Sequence, residues 1–385
     1  MKKQLMIILL SLCLTFSNAL SGDKGTYSIN PKAKPDGKKW RIGCYESGPY
    51  KDYLSTLTAI VHELAELGWI EKTNIPTQES PEDTSKLWKW LSTDIKSKYL
   101  EFVSDAYWSS KFDKTLRESN KKIIIERLSQ KKDIDLMFAF GTIAGQDLAN
   151  NNHSVPSLVC SVSDAIGSKI VKSVTDSGFD HVHARLAPER YERQINMFHK
   201  IVGFKKLGVA FENSPDGRNI AAVDKIEKVA KEKGFEIIPC YSKNITPDKK
   251  EAEESLYKCL NELAPKIDAF YITLQRGVSL KTLPQILEIL NKYKIPTFSQ
   301  SGSEEVKYGV LMSMSRKTFN DVGRFEAETM AKIFNGAKPR DLNQVFENPL
   351  KIALNLKEAE IIGWKAPMDM FEIAEEVYKE IQIAK

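Results

Sequence analysis

Apolar residues along this chain fall into short runs separated by stretches of helical period. The pattern is clearest between residues 135 and 168, DLMFAFGTIAGQDLANNNHSVPSLVCSVSDAIGS. A first apolar run, 136–140, stops at Gly141-Thr142; a polar helix is predicted over 143–150; a second run, 157–162, stops at Ser163-Asp164. Each run has the length of a buried strand, and each ends in residues that suit a helix N-terminus. The stretch therefore predicts a β-α-β-α unit. In open parallel α/β sheets, ligands sit beyond the carboxyl ends of the strands. Gly141, Thr142, Ser163 and Asp164 become candidate ligand-binding residues on one rim, although each also serves as an ordinary helix cap.

The same alternation runs through the rest of the chain. A strand over 40–45 meets the turn Glu46-Ser47-Gly48-Pro49. A helix over 50–67 places Tyr53, Leu57, Ile60, Val61, Leu64 and Leu67 on one face and stops at Gly68. A polar insertion, 71–97, carries Trp88 and Trp90, which read as packing on the first lobe or, alternatively, as a partner-binding surface. Strands follow over 99–103 and 181–186, with helices over 114–130 and 166–175. A second series begins with a helix over 188–202, and has strands over 206–211, 235–240, 268–273, 297–298 and 308–314. Helices alternate with them as far as 319–334, and the chain closes with a strand at 352–354 and two helices. Strand–helix alternation implies parallel sheets flanked by helices, and there are too many units for one ordinary sheet. The expected fold class is α/β: two Rossmann-like lobes with a ligand cleft between them. The expected lobes are 39–182 plus about 311–339, and 183–310 plus about 340–385. Strand ends at Ser47-Gly48, Asn213-Ser214, Gln275-Arg276 and Gln300-Ser301 join the candidate ligand-binding set. Tyr45, Tyr107 or Trp108 is a candidate aromatic wall.

The first nineteen residues differ from the rest. Lys2-Lys3, an apolar run over 5–12 and Ser17-Asn18-Ala19 form the pattern of a secretory signal peptide. Residues 20–38 read as a flexible lead-in. Cys13 lies in the leader behind Leu12, which disfavours a lipid anchor, so the expected location is the periplasm. Cleavage lowers the formal charge from +5 to +3, because the leader holds two lysines and no acid. No basic block with interleaved aromatics points to nucleic acid. Cys44 and Cys160 fall in expected strands and read as core. Cys240 and Cys259 are candidates for a disulfide, which spacing alone does not place within bonding distance. His181 and His183 share a strand face without the further ligands zinc needs, so no metal and no cofactor is expected. No nucleophile–base motif appears, which argues against an enzyme.

Several stretches, in order, resemble the ABC transporter substrate-binding proteins of the tryptophan/tyrosine-binding type, with the type I periplasmic-binding-protein fold. They are Glu66-Leu67-Gly68-Trp69-Ile70-Glu71, 135–149, Val155-Pro156 through Asp164, 206–214, and Ile295-Pro296 through Ser315. The resemblance covers roughly 40–380. It implies a monomeric receptor that closes by a hinge on a small solute and hands it to a membrane permease with its ATPase. It carries binding roles onto Thr142, Asp164 and the Asn213-Ser214 loop. Where the family often has an Asp-Asn pair, this chain has Gln275-Arg276, and arginine suits a carboxylate or phosphate. A solute with at least one anionic group is therefore expected. Two other readings stand beside it: a sensor module that presents its closed form to a membrane signalling protein, and a periplasmic enzyme on the same scaffold.

Overall fold

The computed structural model describes residues 22–78, 80–315, 319–346, 351–368 and 370–384. The expected signal peptide and Cys13 lie outside the described residues. The first part of the chain runs β1 (Trp40–Glu46), α1 (Lys51–Glu66), α2 (Ser85–Thr93), β2 (Leu100–Ser109), α3 (Lys114–Glu126), β3 (Leu136–Phe140), α4 (Thr142–Leu148), β4 (Ser157–Cys160) and β5 (Val182–Ala184). Next come α5 (Arg190–Val202), β6 (Lys206–Phe211), α6 (Pro215–Ile220), α7 (Val223–Lys233), β7 (Glu236–Tyr241), α8 (Lys249–Leu263), β8 (Ala269–Ile272) and α9 (Leu283–Asn291). The chain ends with β9 (Thr297–Ser299), α10 (Glu304–Lys307), β10 (Met312–Met314), α11 (Asn320–Phe334), β11 (Ile352–Asn355), α12 (Leu356–Ile362), α13 (Met370–Ile373) and β12 (Ala374–Tyr378).

These strands make two sheets, ordered β2-β1-β3-β4-β5 and β12-β11-β10-β9-β8-β6-β7. Every described pairing is parallel except β10 with β11. The architecture is the two-lobed α/β fold that the alternation predicts. Central β3 is apolar throughout, as expected of a strand covered by helices on both faces. Phe138 and Phe140 on one face of β3 join the helix α1 side of the first core, while Met137 and Ala139 face the other side.

Three boundaries differ from expectation. β5 pairs with β4 and closes the first sheet, so a split at 183 would cut through it. β10 pairs with β9 and β11 in the second sheet. It is α11 that returns to the first lobe, burying Ala327, Met330, Ala331 and Phe334 in its core. There Gly323 lets the helix lie against α1: a Cβ would stand 2.5 Å from the Ala59 carbonyl carbon. The lead-in is packed rather than flexible. Trp69 donates from Nε1 to the Ile29 carbonyl at 3.0 Å, and Lys34 pairs with Asp135 at 2.8 Å. Tyr27 and Ile29 cover the first core.

Two local expectations also change. Residues 166–175 form turns, with Lys169 at φ 58°. The Asp164 carboxylate caps Gly167 N–H at 2.8 Å, but Gly167, Ser168 and Ser173 offer little helix propensity to continue it. Residues 374–378, expected as helix, form β12, since β11 presents an open edge for pairing. The insertion does pack on the first lobe: Trp88 is buried on α2 and donates to the Val103 carbonyl at 3.1 Å. Cys240 and Cys259 are joined, tying β7 to α8, while Cys44 and Cys160 are free and buried.

Candidate functional site

The carboxyl ends of both sheets converge on one cavity of about 70 Å³. From the first lobe come Ser47 and Pro49 after β1, Tyr50 and Tyr53 at the start of α1, Phe112 after β2, Thr142 and Ile143 after β3, and Ser161 and Ser163 after β4. The second lobe supplies Ile220, Asn244, Ile245, Leu274, Gln275, Arg276 and Val278, and the insertion supplies Glu82.

The first wall is fixed by close packing. Ser47 donates from Oγ to the Phe140 carbonyl at 3.1 Å and accepts from Ala144 N–H at 3.2 Å. Gly141 holds φ 90°, where only glycine is unstrained, and a Cβ there would stand 1.9 Å from the Tyr53 hydroxyl oxygen. Gly48 is also crowded: its Cβ would meet the Phe112 ring at 2.5 Å. Tyr50 and Tyr53 pack edge to face with ring centres 5.3 Å apart, and burial pushes both phenols up, so they stay neutral donors. Behind this wall Glu46 is buried with Thr84 and Tyr107, and burial raises its carboxyl to about 7.

The second wall is braced by hydrogen bonds. Glu212 accepts from Asn244 and Ile245 N–H at 2.8 and 2.6 Å. Asn244 Oδ1 accepts from Arg276 N–H at 2.6 Å. Gln275 is buried and bonded to Ala210 O, Thr273 Oγ1 and Ser242 Oγ. The Arg276 guanidinium lies 5.0 Å from the Phe112 ring of the other lobe, a cation–π distance. Its Nη2 donates to the Pro247 carbonyl at 3.1 Å, while its Nε is buried with no hydrogen-bond partner among the described residues. Burial lowers its pKa, opposed by the nearby Glu82, Asp248 and Glu253 charges.

Contacts cross between the lobes around the cavity. Lys51 pairs with the buried Glu305 at 3.0 Å, and Lys249 with Glu82 at 2.9 Å. Gln146 Nε2 donates to Asp216 at 3.2 Å.

Of the residues expected from the sequence, Ser47, Thr142, Ser163, Gln275 and Arg276 line this cavity, and Gly48 and Gly141 stand directly behind it. The others lie elsewhere. Asp164 borders a separate small cavity with Arg185, Tyr191 and Lys225. Asn213 and Ser214 precede α6, where Ser214 Oγ accepts from Gly217 N–H at 3.0 Å as a cap. Gln300 is buried behind the second wall, where its Oε1 accepts from Leu274 N–H at 2.7 Å, and the Ser301 carbonyl accepts from Arg190. The aromatic wall is also different. Tyr45 is buried against Ser110 and Asp147, Tyr107 packs on Trp88, and Trp108 lies by Arg127. Tyr50, Tyr53 and Phe112 take that place. For the tyrosines the visible signal was their position just after a strand-end turn; Glu82 and Asn244 come from loops that carry no signal. Among the described residues, no group of three or more His, Cys, Asp or Glu side chains could hold a metal ion. No helix among them is long and apolar enough to cross a membrane.

Comparison with known proteins agrees with this architecture. A solved ABC domain from Streptococcus pneumonia, in complex with L-Trp, superposes with a TM-score of 0.65 at 18% identity, covering 88% of this chain and 100% of that one. The ligand-free, open structure of a substrate binding protein with adhesive properties from Clostridium difficile gives 0.57 at 19% identity, covering 89% and 100%. A tyrosine-binding protein of Clostridioides difficile is 24% identical over 187 residues, which is 48% of this chain and only 50% of that relative's length. The family model for ABC transporter substrate binding proteins matches residues 105–378. With a fold of the type I periplasmic-binding kind and a match over most of its length, the chain belongs to the ABC transporter substrate binding protein family.

Proposed function

We propose that this chain is the exported solute receptor of an ABC importer, and that its cavity takes a small, amino-acid-like organic solute bearing an anionic group. The observation that carries this reading is Arg276, a guanidinium on the cavity wall whose buried Nε has no hydrogen-bond partner among the described residues. A buried donor left unsatisfied costs free energy, and a carboxylate accepting from that edge would remove the cost while meeting the charge. Tyr50, Tyr53 and Phe112 suit the apolar or aromatic remainder of such a solute. A neighbour that binds L-Trp and a relative named for tyrosine binding support the same class.

Closure follows from the division of the site. Each lobe holds part of the wall, so full binding free energy is realised only with the lobes together, and the solute shifts the hinge equilibrium toward that form. The closed form, as a monomer without cofactor, then docks on a permease served by its ATPase. The leader at 1–19 delivers the protein to the periplasm, where the Cys240–Cys259 disulfide is at home. A thermal-shift panel of aromatic and aliphatic amino acids, monocarboxylates, dicarboxylates and nucleosides tests the reading. A true ligand at 100 times its Kd adds about 2.7 kcal/mol of stability. Stabilisation by carboxylates is expected; stabilisation confined to uncharged nucleosides would contradict it.

A further inference from the structure

The segment that leads from α1 into α2 is held by both lobes. Thr84, at its end, is fully buried; its hydroxyl donates to the Glu46 carboxylate and lies 2.9 Å from the Tyr107 hydroxyl. Those two partners belong to β1 and β2, so the first sheet fixes this end. Two residues earlier, Glu82 lines the cavity. Its oxygens accept from Lys249 Nζ, at the start of α8 in the second lobe, at 2.9 and 3.2 Å. The side chain is 28% exposed. Residues 81–84 thus form a strap across the cleft, and they lie outside the 105–378 matched by the family model.

The charge layout follows. Arg276 enters the cavity from the second lobe and Glu82 from the strap, and both line the same ligand space. We propose that Glu82 is a specificity-determining residue: held by Lys249 and positioned through Thr84, it selects a solute with one anionic end and one cationic or donor end over a dianion. The inference rests on the anionic-ligand reading above. A second negative charge in so small a cavity meets the Glu82 carboxylate at short range, where the repulsion is only partly offset by the Lys249 ammonium. An ammonium or other donor at the same place is attracted instead.

The test is isothermal titration of the full chain with three probes that share one ring: L-phenylalanine, 3-phenylpropionate and phenylsuccinate. The wild-type protein is expected to rank them in that order. Glu82→Gln is expected to shrink the L-phenylalanine-to-phenylsuccinate affinity ratio about tenfold, whereas Glu82→Asp keeps most of it. Thr84→Val should move the ratio in the same direction as Glu82→Gln, which a purely structural loss would not do. If Glu82→Gln binds all three with the wild-type ratio, Glu82 has no such role although the anionic-ligand reading stands. If the wild-type chain binds none of the three, that reading falls and takes the inference with it.

Discussion

The strand ends and helix starts of the first lobe give the cavity Ser47, Tyr50, Tyr53, Phe112, Thr142 and Ser163, aromatic and hydroxyl groups without charge beside the Glu82 of the insertion, whereas the second lobe brings Asn244, Gln275 and Arg276. The two walls are also built differently. The first rests on strand ends and helix starts packed so closely that Gly141 and Gly48 have no room for a methyl group. The second rests on the irregular segment between β7 and α8, tied down by Glu212, by Asn244 and by the Cys240–Cys259 bridge. Shape is thus assigned to the wall that cannot give, and charge to the wall that is braced from outside. A rigid cradle whose strand ends are neutral, with Glu82 at its rim and one positioned guanidinium opposite, separates the recognition of bulk from the recognition of charge.

Substitutions can break this contrast in graded ways. The largest effect is expected for Gly141→Ala, which forces a Cβ onto the Tyr53 hydroxyl in a left-handed backbone. It should destabilise the fold by about 3 kcal/mol or more in urea denaturation. Gly336→Ala, with φ 102° and nothing within 4 Å, should cost only about 1 kcal/mol. Equal losses would mean that packing against Tyr53 is not what fixes the first wall.

Next comes the bridge behind the second wall. Its cysteines lie 19 residues apart, and a loop of that size is worth about 3 kcal/mol. Replacing both cysteines by serine should lower stability by that order. It should also weaken solute binding, because Asn244 and Ile245 lie within the bridged segment. Lower stability with unchanged affinity would show that Glu212 alone holds the wall.

A smaller, pH-dependent effect sharpens the neutrality of the first wall. Burial raises Glu46 from 4.5 to about 7, so between those values the folded protein holds a proton that the unfolded chain releases. Its contribution is complete below pH 4.5 and falls as pH rises toward 7, by about 3 kcal/mol at most. Among the described residues, the groups acting on Glu46 include Thr84, Ser109, Tyr107, Asp83, Cys44 and Tyr53, none of them a cation. Glu46→Gln should therefore match the wild type at pH 4 and exceed its stability at pH 8, as read from thermal melts across that range. A variant less stable at both pH values would indicate that the ionised carboxylate is needed.

Much of this architecture was legible in the sequence. The runs at 136–140 and 157–162 are largely apolar because β3 and β4 are covered on both faces, although β4 stops at Cys160, and the ends at Thr142 and Ser163 do reach the cavity. Arg276 was visible as a departure at a strand end. What could not be read was long-range placement. Asp164 and Thr142 stand at similar positions after adjacent strands, yet Asp164 turns back to cap Gly167 and borders a different cavity. Asn213-Ser214 was read as ligand-binding, whereas the hydroxyl is used to cap α6. Glu82, Phe112 and Asn244 come from loops whose positions depend on distant partners, and no local periodicity encodes those. β12 escaped notice because AEEVY has helical composition, and the free edge of β11 decides its conformation.

The central claim, that Arg276 grips an anionic solute between the lobes, is tested most directly by calorimetric titration of the wild type and Arg276→Ala with the carboxylate that most stabilises the protein. Loss of a charged hydrogen bond predicts a Kd weaker by at least about tenfold, equivalent to roughly 1.5–3 kcal/mol, beyond any loss of solute-free stability from the Pro247 and Phe112 contacts. An Arg276→Ala protein that binds the same carboxylate with wild-type affinity would contradict the account.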